Sequence, residues 1–280
     1  MNHRRILLAA GGSVAAVALT LAFTLLLIPS REIEGVVTRL LARDGYTFRA
    51  ARFGKAFPLG VSARGVTVAG ARGELLRLDR ATVRLSLLPL LAGRVRVSFA
   101  GEIGPGRIGG EASLRGSGPT RATITGVRLE DIPFFRSVTG ADAKGLLTAA
   151  LSLRGSGPAA AGELKLEVAG ADLRGMKIGE TPLPDAPYDT IRGMLRLGGR
   201  RATIDSFTLQ GRELYVRLKG EFPLTDPVGT APLNLTLELM PKPELLDRQK
   251  LVFALLTRYL VTPGHYQLPI RGTLAKPLLQ

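Results

Sequence analysis

Apolar and polar residues alternate with a period of two along most of the chain after residue 46. The clearest run is 233–239, in which four leucines alternate with Asn234, Thr236 and Glu238. Because successive side chains of a β-strand point to opposite faces, such a run predicts a strand with one face turned away from water. Glycine, proline or aspartate separates nearly all of these runs. The pattern therefore predicts a mainly β chain with a largely antiparallel, extended or curved sheet that is built from hairpins.

Helical spacing is found in only two segments of the charged part of the chain. Residues 31–43 carry an apolar stripe at helical spacing and stop at Asp44-Gly45, which predicts an amphipathic helix ahead of the β domain. Residues 244–260 predict one late helix, followed by a last strand over 266–273. Three prolines in 181–187 mark an exposed connection and a possible internal boundary.

The N-terminus contains a long apolar segment. Residues 6–28 include no formal charge, and a helix needs about 20 apolar residues to cross a bilayer. Arg4 and Arg5 precede this segment, so the positive-inside rule keeps residues 1–5 in the cytoplasm and sends the rest of the chain across. A cleaved signal peptide would have a shorter apolar region and a small-x-small cleavage site. We therefore predict a retained single-pass anchor at 6–28 and a β-rich domain over 46–280 outside the cytoplasm.

Cysteine and histidine, two residue types that often act in catalysis or bind metals, are scarce. The chain has no cysteine and only two histidines, His3 and His265. No nucleophile elbow, phosphate-binding loop or metal-ligand spacing is present. The adjacent acids Glu130 and Asp131 are predicted at a strand end, where neighbours point to opposite faces and do not share a substrate. We therefore predict that the protein is not an enzyme, and assign no catalytic, cofactor-binding or metal-binding residue and no cofactor.

A strong positive charge is the other compositional feature. The formal net charge is +15 and the isoelectric point is about 10.9, values that are often found in nucleic-acid-binding proteins. Here the arginines are spread singly along strands, aromatic residues make up 5%, and tryptophan is absent, so base-stacking surfaces are scarce. We predict no nucleic-acid partner. A basic face outside the cytoplasm attracts anionic lipid headgroups or acidic proteins, or is simply solvated.

Several short motifs resemble one family of proteins. The segments are Leu-Leu-Pro-Leu-Leu-Ala-Gly-Arg-Val at 87–95, Gly-Tyr-Thr-Phe at 45–48, Phe-Pro-Leu-Gly at 57–60, and 268–277 at the end. Together with the anchor, they resemble the AsmA-like membrane-anchored periplasmic proteins. The repeat Leu-Arg-Gly-Ser-Gly-Pro at 114–119 and 153–158, the size and the late helix are most similar to the type II secretion system protein N family.

The resemblance implies a non-enzymatic accessory component of the bacterial type II secretion system. In that setting, the anchor lies in the inner membrane and the β domain contacts other secretion subunits in the periplasm. The broader AsmA-like resemblance implies an alternative, a lipid-handling protein with an apolar β groove between the inner and outer membranes. Addition of a partner's strand to an exposed sheet edge is a third possibility. An open apolar face at 233–239 would indicate a lipid-binding groove, whereas a covered face would indicate a closed hydrophobic core.

Overall fold

The computed structural model describes residues 30–43, 45–57, 59–86, 89, 95–115, 118–155, 159–225 and 228–280. The predicted cytoplasmic residues 1–5 and the predicted anchor at 6–28 lie outside the described residues. Among the helices of the described part, none is long and apolar enough to cross a membrane.

Most of the described chain forms one antiparallel sheet of 15 strands, all but one of which lie along its main path. Each strand pairs mainly with its neighbours in sequence, in the order β1 to β8, β11 to β14, β16 and β15, and β17 adds to the far part of β16. The prediction of a mainly β, largely antiparallel chain with few short helices is confirmed. The strands are β1 (Thr47–Ala56), β2 (Gly60–Gly70), β3 (Gly73–Leu85), β4 (Val95–Ile103), β5 (Gly106–Arg115), β6 (Pro119–Arg128), β7 (Asp142–Arg154), β8 (Ala161–Arg174), β9 (Lys177–Ile178), β10 (Thr181–Pro182), β11 (Ala186–Gly198), β12 (Arg201–Gln210), β13 (Leu214–Pro223), β14 (Asn234–Pro241), β15 (Leu260–Thr262), β16 (His265–Thr273) and β17 (Lys276–Leu279).

Within the described residues, three α-helices accompany the sheet: α1 (Ser30–Arg43), α2 (Pro243–Arg248) and α3 (Lys250–Leu256). The late segment, predicted as one helix over 244–260, is divided at Gln249 and ends in a 3-10 turn, Thr257–Tyr259. At the division, the Gln249 side chain bonds to the chain just before β11. Its Nε2 donates to the Asp185 carbonyl at 2.6 Å, and its Oε1 accepts from the Asp185 amide at 3.0 Å.

The two faces of the sheet differ in chemistry as the alternation predicts. Along β7 and β8, exposed polar residues alternate with less exposed apolar ones. Cross-strand ion pairs bridge the polar face, for example Arg196 to Asp205 at 2.9 Å and Arg201 to Glu221 at 2.7 Å. Because exposed pairs of this kind contribute about 0–1 kcal/mol each, the apolar face supplies most of the stability.

A buried apolar cluster lies in the C-terminal part of the sheet, on strands from β7 to β16 and on the segments packed against them. Its most deeply buried members are Leu214, Leu239, Leu245, Leu256 and Leu268. The predicted boundary at 181–187 falls inside this region, where β8 pairs directly with β11 and the sheet continues across it. Residues 177–182 form a separate two-stranded hairpin, β9–β10, beside the sheet. The described part of this region therefore shares one core.

Candidate functional site

An apolar cavity of about 420 Å³ lies against the apolar face of the sheet. Its walls consist of aliphatic and aromatic side chains, together with the thioether of Met176 and the hydroxyl of Tyr188. The walls are formed by strands β7, β8, β11 to β14 and β16, the hairpin β9–β10 and two residues of the β6–β7 connection. Lining residues include Leu147, Leu166, Ile191, Phe207, Val216, Leu218, Leu237 and Ile270.

Alternation within each strand places these side chains in the cavity wall. In β13, Leu214, Val216 and Leu218 line the cavity, while the alternating residues Arg217 and Lys219 are exposed on the other face. In β11, a Cβ on Gly193 would lie 2.7 Å from the ring of Phe207 on β12. Glycine at this position therefore lets the phenyl ring lie across the neighbouring strand and form part of the wall.

The hairpin β9–β10 and its flanks cover one side of the cavity. We call residues 176–184 the lid hairpin. Met176, Ile178, Leu183 and Pro184 turn toward the cavity, and the Leu183 amide donates to the Met176 carbonyl at 2.8 Å. At the tip, a Cβ on Gly179 would lie 3.5 Å from the carbonyl of Pro277 on β17. The lid hairpin therefore joins β8 and β11 at its base to β17 at its tip.

This contact requires the sheet to curve. In a flat sheet, six steps of about 4.8 Å would separate β8 from β17, or roughly 29 Å. A hairpin arm of about five residues reaches only roughly 16 Å. Since the tip of the lid hairpin does touch β17, the strands between β8 and β17 wrap around the cavity as a half-barrel.

Helices α2 and α3 bury a neighbouring part of the same apolar face. Leu245, Phe253 and Leu256 belong to the buried cluster, and the ring centroids of Phe253 and Tyr266 are 5.4 Å apart. The Gln249–Asp185 hydrogen bonds connect these helices to the base of the lid hairpin. Arg248 on α2 also donates to both carboxylate oxygens of Glu213, and this lowers the pKa of Glu213. The helices and the lid hairpin are therefore held to each other and to the sheet.

The apolar face of the sheet is covered at β14 and partly open near the turn between β7 and β8. The leucines of the run 233–239, of which 235–239 lie in β14, are all buried, so the apolar face is covered at this run and the open groove expected for a lipid-handling protein is not found there. Nearer the β7–β8 turn, Leu151, Leu153 and Leu164 on the same face are only half-buried. The cavity thus continues into an apolar surface that water reaches in part.

Among the described residues, no charged side chain lines the cavity. Burial, followed by the nearby carboxylate of Asp185, raises the pKa of the Tyr188 hydroxyl well above its usual value. The phenol therefore stays neutral across the physiological pH range. An uncharged, apolar wall of this kind accommodates hydrocarbon.

The acidic pair of the sequence is placed differently from the prediction. Glu130 and Asp131 lie in a 3-10 turn, and both line one cleft together with Glu74 and Asp79. The alternation rule for strands was wrong for this pair because a turn replaces the strand. Even so, no group of three or more His, Cys, Asp or Glu in the described residues is arranged to hold a metal. His265 begins β16, and its Nε2 is buried without a hydrogen-bond partner.

Comparison of the chain with protein-family models, with curated proteins and with solved structures gives no match in any of the three.

Proposed function

We propose that the protein handles lipid and that its apolar cavity holds a hydrocarbon chain. The observation that carries this proposal is the cavity of about 420 Å³ with a wall free of charge. Sites for small molecules typically measure about 300–1,000 Å³ and are mostly apolar. Burying hydrocarbon there is worth roughly 25 cal/mol per Å². The half-buried leucines beyond the cavity give a longer chain an apolar surface along which to continue. This function is the lipid-handling role that the AsmA-like resemblance implies.

The proposed setting is the bacterial inner membrane. Residues 6–28 would anchor the protein there, with residues 1–5 in the cytoplasm and the sheet in the periplasm. The uncharged run and the arginines ahead of it support this orientation. A lipid handled by the sheet would then be exchanged between the inner and outer membranes.

A second proposal is an accessory, non-enzymatic role in type II secretion through contacts with other subunits. This proposal is supported by the Leu-Arg-Gly-Ser-Gly-Pro repeat at 114–119 and 153–158, by the size of the chain and by its late helix. One edge of the sheet supports it as well. Among the described residues, the ten-residue strand β1 pairs only with β2. An unpaired edge of this length offers main-chain donors and acceptors to a strand of another protein.

In-cell photo-crosslinking separates the two proposals. Probes at Leu166 and Leu218 lie in the cavity wall, and a probe at Arg52 lies on β1. Phospholipid adducts at the two cavity positions, and none from a probe at Lys165 on the opposite face, are the result expected for lipid handling. Capture of secretion subunits at Arg52 is the result expected for the accessory role. Cavity probes that yield only bonds within the chain would contradict the lipid proposal.

Filling the cavity gives a second test of lipid handling. Leu218→Trp replaces an aliphatic side chain of the cavity wall with a larger indole ring. Because the ring occupies part of the cavity, the amount of phospholipid that co-purifies with the full chain should fall severalfold. Mass spectrometry of extracted lipid measures the effect. Arg217→Trp adds the same ring to the exposed face of the same strand and should leave the lipid content unchanged. Equal lipid content in wild type and both variants would show that bound lipid does not occupy the cavity.

A further inference from the structure

The polar face of the N-terminal part of the sheet carries a groove of about 470 Å³. It runs across β3, β4, β5 and β6, on the face opposite the apolar one. Three arginines line it, Arg80, Arg84 and Arg107, and we call it the basic trough. It shares no lining residue with the apolar cavity.

Strand register explains why this surface is concave. One cross-strand row runs from Thr82 to Ala100, Gly109 and Thr123, so its two central positions carry at most a methyl group. The next row along the strands runs through Arg80, Glu102 and Arg107, and Arg84 stands opposite Ser98 on the other side. Long side chains therefore rise on both sides of a floor of small residues.

The fold does not require the glycine in this floor. A Cβ on Gly109 would meet only the Phe99 carbonyl, at an ordinary contact distance of 3.8 Å, and its φ lies outside the left-handed range. At Gly110, by contrast, a Cβ would lie 2.2 Å from the carbonyl of Arg121. Gly110 is thus required by close strand packing, whereas the effect of Gly109 is to keep the trough open.

The trough is lined by three arginines and one carboxylate, Glu102, which lies between Arg80 and Arg107 in the same cross-strand row. In the described part of the chain, Arg80, Arg84 and Arg107 form no ion pair, and Glu102 is the one carboxylate that lines the trough with them. The row of Arg80 continues outward through Arg64 and Arg52, so three arginines stand directly opposite one another on β3, β2 and β1. Like charges in this arrangement repel, and a bound anion relieves the repulsion.

We propose that the basic trough binds a phosphate group, carried either by the headgroup of an anionic phospholipid or by a free phosphate ester. The planar guanidinium group matches phosphate oxygens with paired hydrogen bonds, and three arginines surround the groove. The hydroxyl groups of Thr82 and Ser98 border the same space and supply further donors, whereas the Thr123 hydroxyl donates to the Gly109 carbonyl at 3.4 Å. This site does not depend on the proposed lipid cavity, because the two lie on opposite faces of the sheet.

Binding to the full chain in neutral phosphatidylcholine nanodiscs tests the proposal. One arm titrates glycerol 3-phosphate by calorimetry, and the other measures capture of phosphatidylglycerol-containing vesicles against pure phosphatidylcholine vesicles. The double variant Arg80→Gln/Arg107→Gln should weaken binding by about tenfold or more. Arg212→Gln/Arg217→Gln removes the same charge elsewhere and should have a much smaller effect.

A variant without a charge change tests the groove itself. Gly109→Leu fills the floor of the trough and should also weaken binding, while its circular dichroism spectrum stays that of the wild type. Ligand binding in the first arm identifies a free phosphate ester, and binding in the second arm alone identifies a lipid headgroup. Equal losses in the two double variants, or no binding in either arm, would overturn the proposal.

Discussion

Leu239→Asp is expected to unfold the C-terminal half of the sheet. Leu239 is 1% exposed and lies opposite Val216 on β13 and Tyr266 on β16. The substitution removes a buried leucine, at about 2–5 kcal/mol, and places a carboxylate where the described structure supplies no cationic partner. Because a domain of this kind is stable by only about 5–15 kcal/mol, most of that margin is lost. Urea denaturation of the full chain, followed by circular dichroism, measures the change.

The neighbouring residue provides the matched control. Met240 is 37% exposed and points to the opposite face of the same strand. Met240→Asp should change the free energy of unfolding by no more than about 0.5 kcal/mol. If Leu239→Asp unfolded at the same urea concentration as Met240→Asp, the leucine face at β14 would be open to water and would not form a core.

Gly220→Val is expected to separate β13 from β14. Gly220 has a φ of +132°, which a β-branched residue rarely adopts. A Cβ there would lie 2.2 Å from the carbonyl oxygen of Asn234 and 2.8 Å from the Cα of Leu235. Both contacts are to backbone, so no side-chain rotation relieves them. We expect a loss of more than about 3 kcal/mol in the free energy of unfolding, measured by thermal denaturation.

Gly198→Ala is the control for this prediction. Gly198 lies at the end of β11 with a φ outside the left-handed range, and a Cβ there would meet nothing within 4 Å. The alanine should be neutral or stabilise the protein by up to about 1 kcal/mol, because it reduces the freedom of the unfolded chain. Similar melting temperatures for Gly220→Val and Gly198→Ala would mean that β13 and β14 are less closely paired than the structure has them.

The strands were predictable from sequence because their signal is local. The run 233–239 falls largely in β14, and its leucines point to the apolar face. The lid hairpin was not predictable in this way. Strands β9 and β10 have two residues each, too few to show a period, and the prolines of 181–187 indicated only a connection. The break at Gln249 depends on a bond to Asp185, 64 residues away in sequence.

The cavity and the basic trough were beyond prediction for a related reason. Alternation shows that one face avoids water, but the curvature that encloses a cavity arises from contacts such as Gly179 with Pro277. Similarly, Ala100, Gly109 and Thr82 come from three strands, and they form one row only once the strand register is fixed. A period within one strand carries no information about that register.

Pairing between neighbours in sequence has a consequence for how the sheet assembles during synthesis. As the chain leaves the ribosome, each of the strands β2 to β8 finds its partner already present in the strand made just before it. Growth therefore proceeds in one direction with short loops to close, a topology that favours rapid folding. In the described sheet, the edge opposite β1 is formed by β15 and β17, strands of three and four residues. Such short final strands limit further growth of the sheet, including growth by a second copy of the chain.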